Sequence, residues 1–186
     1  LGKRKLEADF DPIESALNKG GSVLIYVPKS HIYSKQIYGQ FQKYISMCQP
    51  IDDPIAIKMI DELKDYIGAS TTDKLFYNSD MLEKLRCGIV VHHGSMPLTA
   101  RLILEHFTQQ GFCKICFATS TLEQGINMPF DVVYLDRFEE SKTLSVKNLI
   151  GRAGRSTAKP IFDFGSVFLR PNAMSRFRKV YQKKNI

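Results

Sequence analysis

Five short apolar runs, each ending abruptly in polar turn residues, constrain this chain more than any other feature. They are Val23–Val27, Gly88–Val91, Ile115–Ala118, Val132–Leu135 and Ser166–Leu169. None alternates apolar with polar. Successive strand residues point to opposite faces, so an unbroken run belongs to a strand covered on both sides. Helical periodicity fills most of the intervals: residues 31–44 after the first run, Pro97–Gln110 after the second and Val146–Gly154 after the fourth. In Pro97–Gln110, Leu98, Leu102, Ile103 and Phe107 set the apolar spacing, with Ser95 as a plausible cap and Gly111 as a stop. Strand alternating with helix demands right-handed crossovers and a mainly parallel sheet. The expected fold is a three-layer α/β sandwich in a single domain over residues 1–186.

Residues 45–80 interrupt the rhythm and read as a small helical insertion within that domain. Lys58–Ile67 puts Met59, Ile60, Leu63, Tyr66 and Ile67 on one helical face, and turn-rich residues 68–73 follow. A last helix, roughly Asn172–Lys184, is expected to turn Met174, Phe177, Val180 and Tyr181 inward. Its bases Arg176, Arg178, Lys179, Lys183 and Lys184 then form a solvated face, with a nucleic-acid surface as the rival reading.

The chain's 186 residues are enough to bury roughly 70% of the unfolded surface without a metal or disulfide staple. No apolar run approaches the ~20 residues that span a bilayer, and the opening LGKRKLEADF has no apolar stretch behind its charges, so neither a membrane span nor a secretory signal is expected. The missing initiator Met suggests a piece of a longer protein. Lys and Arg number 26 against 19 Asp and Glu, a net charge of +7 that favours an anionic partner. Of the cysteines Cys48, Cys87, Cys113 and Cys116, the last two have metal-like spacing but no second ligand pair. Reduced core cysteines and an intracellular location are expected.

In open parallel sheets ligands bind beyond the carboxyl ends of the strands. The residues there are Pro28-Lys29-Ser30, His92-His93-Gly94-Ser95, Thr119-Ser120-Thr121 and Asp136-Arg137. Hydroxyls, a lysine and a glycine leading into helix amino ends suit a row of phosphates. Read singly, Ser30, Ser95 and Thr121 are equally well ordinary N-caps. More specific is Asn148-Leu-Ile-Gly-Arg-Ala-Gly-Arg155, where Arg152 and Arg155 stand three apart, on one face of a helix. Their guanidinium forks suit phosphate oxygens. Gly151, Ala153 and Gly154 leave them open to something bulky, although two glycines weaken a helix by about 1 kcal/mol each. The rival reading is a tightly packed helix whose arginines pair with nearby carboxylates.

These residues resemble a known family. Ala118–Pro129 looks like motif V of superfamily 2 helicases, Asn148–Arg155 like motif VI, Val23–Ser30 like motif IV, and His92–Arg101 like the block IVa that follows it. The four occur in the family's order across about residues 20–170 and lie closest to the DExH type. The resemblance implies the second RecA-like, P-loop NTPase-type lobe of an ATP-driven motor on single-stranded or partly duplex DNA or RNA. Arg152 and Arg155 would be arginine fingers reaching the γ-phosphate of ATP held, with Mg²⁺, mainly by an N-terminal lobe of the same polypeptide. Gly125, Asn127, Asn148 and Gly151 match nucleotide-side positions. Lys29, Ser30, His93, Gly94, Arg101, Thr119, Ser120 and Thr121 match contacts to the nucleic-acid backbone.

Three positions depart from the family pattern. Asn148 stands where motif VI usually has Gln or His, Leu98 where block IVa often has Gln, and Asn127 where DEAD-box proteins have Asp. The chain contains no G-x-x-x-x-G-K-[ST] and no Asp-Glu-x-[His/Asp] box, so the fragment alone is expected neither to hold ATP tightly nor to hydrolyse it. One rival function is a degenerate lobe kept as a nucleic-acid or protein docking module. Another is a small-molecule enzyme on a Rossmann-like sheet, which needs a Gly-rich first turn where this chain has Pro28-Lys29-Ser30.

Overall fold

The computed structural model describes residues 10–70, 78–119, 128, 130–138, 147, 148, 150, 151, 153 and 166–182. All five apolar runs are strands: β1 Val23–Tyr26, β2 Ile89–His92, β3 Ile115–Ala118, β4 Val132–Leu135 and β5 Ser166–Leu169. They form one sheet in the order β2-β3-β1-β4-β5, and every neighbouring pair is parallel. The expected three-layer α/β architecture is therefore the one observed.

The two-faced apolar runs explain the layering. Leu24, Tyr26, Val90, Cys116, Val133 and Leu135 face one cluster. Val23, Ile25, Val91, Ile115, Phe117 and Val132 face the other. The helices α1 Pro12–Asn18, α2 Lys29–Tyr33, α3 Gln36–Gln40 and α4 Gln42–Ile45 cover the second face through Ile13, Ala16, Ile32, Ile37 and Ile45. The first face is covered by α5 Pro54–Ser70, α6 Asn78–Arg86, α7 Leu98–Gln109 and α8 Met174–Gln182. Met59, Ile60 and Leu63 of α5 are buried against that face, so residues 54–70 belong to one of the two helical layers.

Three helical expectations are corrected. Residues 31–44 form the three short helices α2–α4, because Lys35 takes a left-handed φ of 57° between the first two. In α7 the buried stripe is Ala100, Leu104 and Phe107, while Leu98 and Leu102 are 63% and 54% exposed. The sequence carries two apolar stripes there, and only one can face the sheet. In α8, Val180 is buried and Phe177 partly so, but Met174 and Tyr181 are exposed. That helix is nine residues long and follows a 3₁₀ turn at Pro171–Ala173. All four cysteines are free thiols, with Cys48, Cys113 and Cys116 buried. Cys113 precedes β3 and packs in the same apolar cluster as Cys116.

Candidate functional site

The strand registers bring His92, Ala118, Tyr26, Leu135 and Leu169 into one row across the carboxyl end of the sheet. Their successors His93, Thr119, Val27, Asp136 and Arg170 therefore share one edge. Pro28, in extended conformation at φ −61° and ψ 145°, turns the chain from β1 directly into α2. This brings Lys29 to Ser95 beyond β2: Lys29 Nζ donates to Ser95 Oγ at 3.1 Å, and Tyr33 Oη donates to the same oxygen at 3.0 Å. With its hydroxyl taken by these two, Ser95 does not cap α7, which begins after Pro97 without a side-chain cap.

Because β3 lies between β1 and β2, the Lys29–Ser95–Tyr33 bridge passes across its end. Thr119 sits there at 3% exposure, its backbone N–H given to the His92 carbonyl at 3.3 Å. His93 is 6% exposed, its ring tilted against Tyr33 with centroids 5.5 Å apart. Burial, reinforced by the Lys29 charge, holds its imidazole below the usual histidine value and so favours the neutral ring. His92 is also buried, and among the described residues no group of His, Cys, Asp and Glu is arranged to hold a metal.

The backbone-contact residues expected from the sequence thus divide by burial. Lys29, Ser30 and Gly94 are exposed on the edge, and Arg101 is half-buried in the first turn of α7. His93 and Thr119 are brought to the same place but lie beneath the bridge. Both side chains are buried here, His93 with its ring against Tyr33. Ser120 and Thr121 lie outside the described residues.

The β4–β5 end of the edge holds a buried ion pair. Asp136, whose side chain is wholly buried, accepts Arg170 Nε at 2.6 Å and a second bond from Arg170 Nη2, both on Oδ1. Gln40 Nε2 donates to the same oxygen at 2.8 Å. Nearby, burial and the Asp136 charge push the Tyr134 hydroxyl up, against the opposing Arg170. Sequence reasoning missed Arg170, although it immediately follows the fifth apolar run, as Asp136 follows the fourth. It also missed Tyr33, whose signal is an aromatic four residues after Lys29 at helical spacing.

Of the nucleotide-side residues, Asn148 and Gly151 are described and both are exposed. A helical turn holds them, with Gly151 N–H donating to Lys147 O at 3.0 Å and Ala153 N–H to Ile150 O at 3.1 Å. Ile150 and Ala153 turn inward against the core, and Ala153 makes a parallel bridge to Phe130. An amide side chain and a side-chain-free backbone are left facing outward. Arg152, Arg155, Gly125 and Asn127 lie outside the described residues.

The sequence profile of the helicase conserved C-terminal domain matches residues 54–157. Among curated proteins, the ATP-dependent DNA helicase Hel308 of Caldivirga maquilingensis is 26% identical over 174 residues, covering 86% of this chain and 22% of that protein. The Hachiman protein HamB of Bacillus cereus is 38% identical over 84 residues, 42% of this chain and 8% of that protein. The probable ATP-dependent DNA helicase HFM1 of Mus musculus is 34% identical over 94 residues, 46% of this chain and 6% of that protein. The chain thus spans less than a quarter of the length of these relatives. Among the described residues no helix is long and apolar enough to cross a membrane.

Proposed function

The chain belongs to the helicase conserved C-terminal domain family, as the RecA-like second lobe of a superfamily 2 helicase, and from that premise we propose that it works as the C-terminal motor lobe of an ATP-dependent DNA or RNA helicase inside the cell. In this reading it closes on an N-terminal lobe of the same polypeptide around ATP and Mg²⁺, and regrips the nucleic-acid backbone after hydrolysis.

The observation that carries the reading is the bridged edge. Lys29, Ser30 and Gly94 are exposed just beyond β1 and β2, which end with β3 on one register row. Such an edge offers a cation, a hydroxyl and open backbone to successive phosphates and nothing to a base edge, so it grips without reading sequence. Arg101, Ser120 and Thr121 extend that grip, and His93 and Thr119 support it from below. The relatives' printed names include ATP-dependent DNA helicases, in keeping with a nucleic-acid motor.

The nucleotide reading rests on motif VI. The exposed Asn148 amide and the bare Gly151 backbone fit close approach of a bound nucleotide, with Gly125 and Asn127 completing that side. Bound Mg·ATP supplies the phosphoryl group that is transferred. Arg152 and Arg155 neutralise the charge that develops on it, as arginine fingers do. No phosphate-cradling G-x-x-x-x-G-K-[ST] occurs in the 186 residues, so alone they hold ATP weakly and do not turn it over.

The test is substitution in the full-length protein. Arg152→Ala or Arg155→Ala should abolish nucleic-acid-stimulated ATP turnover and leave nucleic-acid binding largely intact. Wild-type turnover in both variants would refute the finger assignment. Single-strand affinity should fall steeply with salt, by a log–log slope of about 0.7 per phosphate gripped, and a salt-insensitive interaction would refute the edge assignment.

A further inference from the structure

Tyr33 lies within the bridged edge, yet its chemistry is not that of a phosphate contact. It is 46% exposed, a large aromatic ring held above the end of the sheet. Among the described residues its hydroxyl donates to Ser95 Oγ at 3.0 Å and its ring leans on buried His93 with centroids 5.5 Å apart. An exposed tyrosine tethered at its hydroxyl and braced on a second ring has already lost the side-chain freedom that stacking would otherwise cost. Lys29 Nζ lies 5.3 Å from the centre of that ring and 3.1 Å from the same Ser95 oxygen. A cavity of about 70 Å³ lies beside it, lined by Ile32, Tyr38, Met81 and Val91 and also by the ion-paired Lys35 and Asp80.

We propose that Tyr33 is a base-stacking platform, so that this edge takes one whole nucleotide: its phosphate on Lys29 and its base on the Tyr33 ring. This rests on the proposed grip of the edge on a nucleic-acid backbone and deepens it, since it restricts the bound form to a single strand with an unstacked base. The two groups divide the work by chemistry. In the free protein the ammonium rests over the ring, a cation–π contact. A phosphate oxygen is the stronger partner, and the long lysine stem lets the ammonium swing to it and uncover the ring face. Stacking needs only a π-face, so any base is accepted and the edge stays indifferent to sequence. The hydroxyl is a positioning group: it aims the ring but touches no base.

The experiment measures affinity of the full-length protein for a single strand, as DNA and as RNA, with one abasic nucleotide moved stepwise along it. For the wild type, one abasic position should weaken binding about ten-fold, the usual scale for losing one base–aromatic stack. Tyr33→Ala and Tyr33→Leu should lose a similar factor on the intact strand and show no further penalty at that position. Tyr33→Phe, which keeps the ring but loses the tether to Ser95, should lose less affinity than Tyr33→Ala and still show a penalty at the abasic position. Lys29→Ala should lower the salt slope by about 0.7, whereas Tyr33→Ala should leave it unchanged. Wild-type affinity in Tyr33→Ala and Tyr33→Leu, or penalties that simply add at every abasic position, would overturn the stacking role and leave the phosphate grip standing. Absence of salt-dependent strand binding by the wild type would overturn the grip and the stacking role together.

Discussion

Arg170 and Asp136, the residues that directly follow β5 and β4, form an ion pair in which Arg170 Nε reaches Asp136 Oδ1 at 2.6 Å. The Asp136 side chain is completely buried, while the Arg170 side chain is 32% exposed. Removing the arginine strands a buried charge with Gln40 as its remaining donor among the described residues. Arg170→Met should therefore cost about 2–3 kcal/mol, below the ~3–5 kcal/mol of a fully buried pair because the arginine side chain is partly exposed. Adding Asp136→Asn to that variant should recover part of the loss. Urea unfolding of the single and double variants checks both statements.

Gly88 enters β2 at a φ of 76°, and a Cβ there would stand 2.7 Å from the Phe112 carbonyl oxygen. Its own carbonyl accepts the Lys114 N–H at 2.7 Å, which pins the approach to β3. Gly88→Ala combines a disfavoured backbone with a backbone clash and should cost about 2–3 kcal/mol. At about 2–4 °C per kcal/mol for a chain of this size, thermal unfolding should show a Tm lower by about 4–12 °C.

The buried, neutral His93 makes stability depend on pH with a definite sign. Burial and Lys29 hold its folded value below the ordinary 6.5, so the unfolded chain binds the proton more readily. Its contribution to stability is full above pH 6.5 and is lost as the pH falls through the window below it. Thermal unfolding of the wild type should weaken between neutral and mildly acidic pH, and His93→Gln should flatten that dependence.

The two leucine stripes of α7 should respond oppositely to truncation. Leu104 is 1% exposed and packs in the core, so Leu104→Ala should cost about 2–5 kcal/mol. Leu102→Ala, at an exposed position, should stay within about 0.5 kcal/mol. Unfolding free energies of the two variants provide the comparison.

The strands were legible because a run such as Val132–Leu135 is apolar on two faces and is cut off by polar residues after four positions, too short for a buried helix. Strand order and the row at their ends were legible only as a parallel sheet, since the register depends on contacts between distant segments. The choice between Leu102 and Leu104 was not legible, because both lie on good helical stripes and only the position of the sheet decides between them. Lys35 hid the break between α2 and α3, since a non-glycine residue at positive φ carries no local signal. For the edge, residue types such as Lys29 and Gly94 could be read off the sequence, but their exposure could not. Thr119 and His93 share that chemistry yet are buried, which depends on tertiary packing that no local pattern reveals.

The left-handed turn at Lys35 has a mechanical consequence. On one side of it, Tyr33 is tied to Ser95 beyond β2; on the other, Gln40 is tied to Asp136 beyond β4. A single short stretch of chain is thus anchored on both sides of the central strand β1, like a crossbeam with one joint. If the β2 and β4 ends of the sheet shift relative to each other while both ties hold, the difference falls on the stretch between Tyr33 and Gln40, which contains the positive-φ residue Lys35.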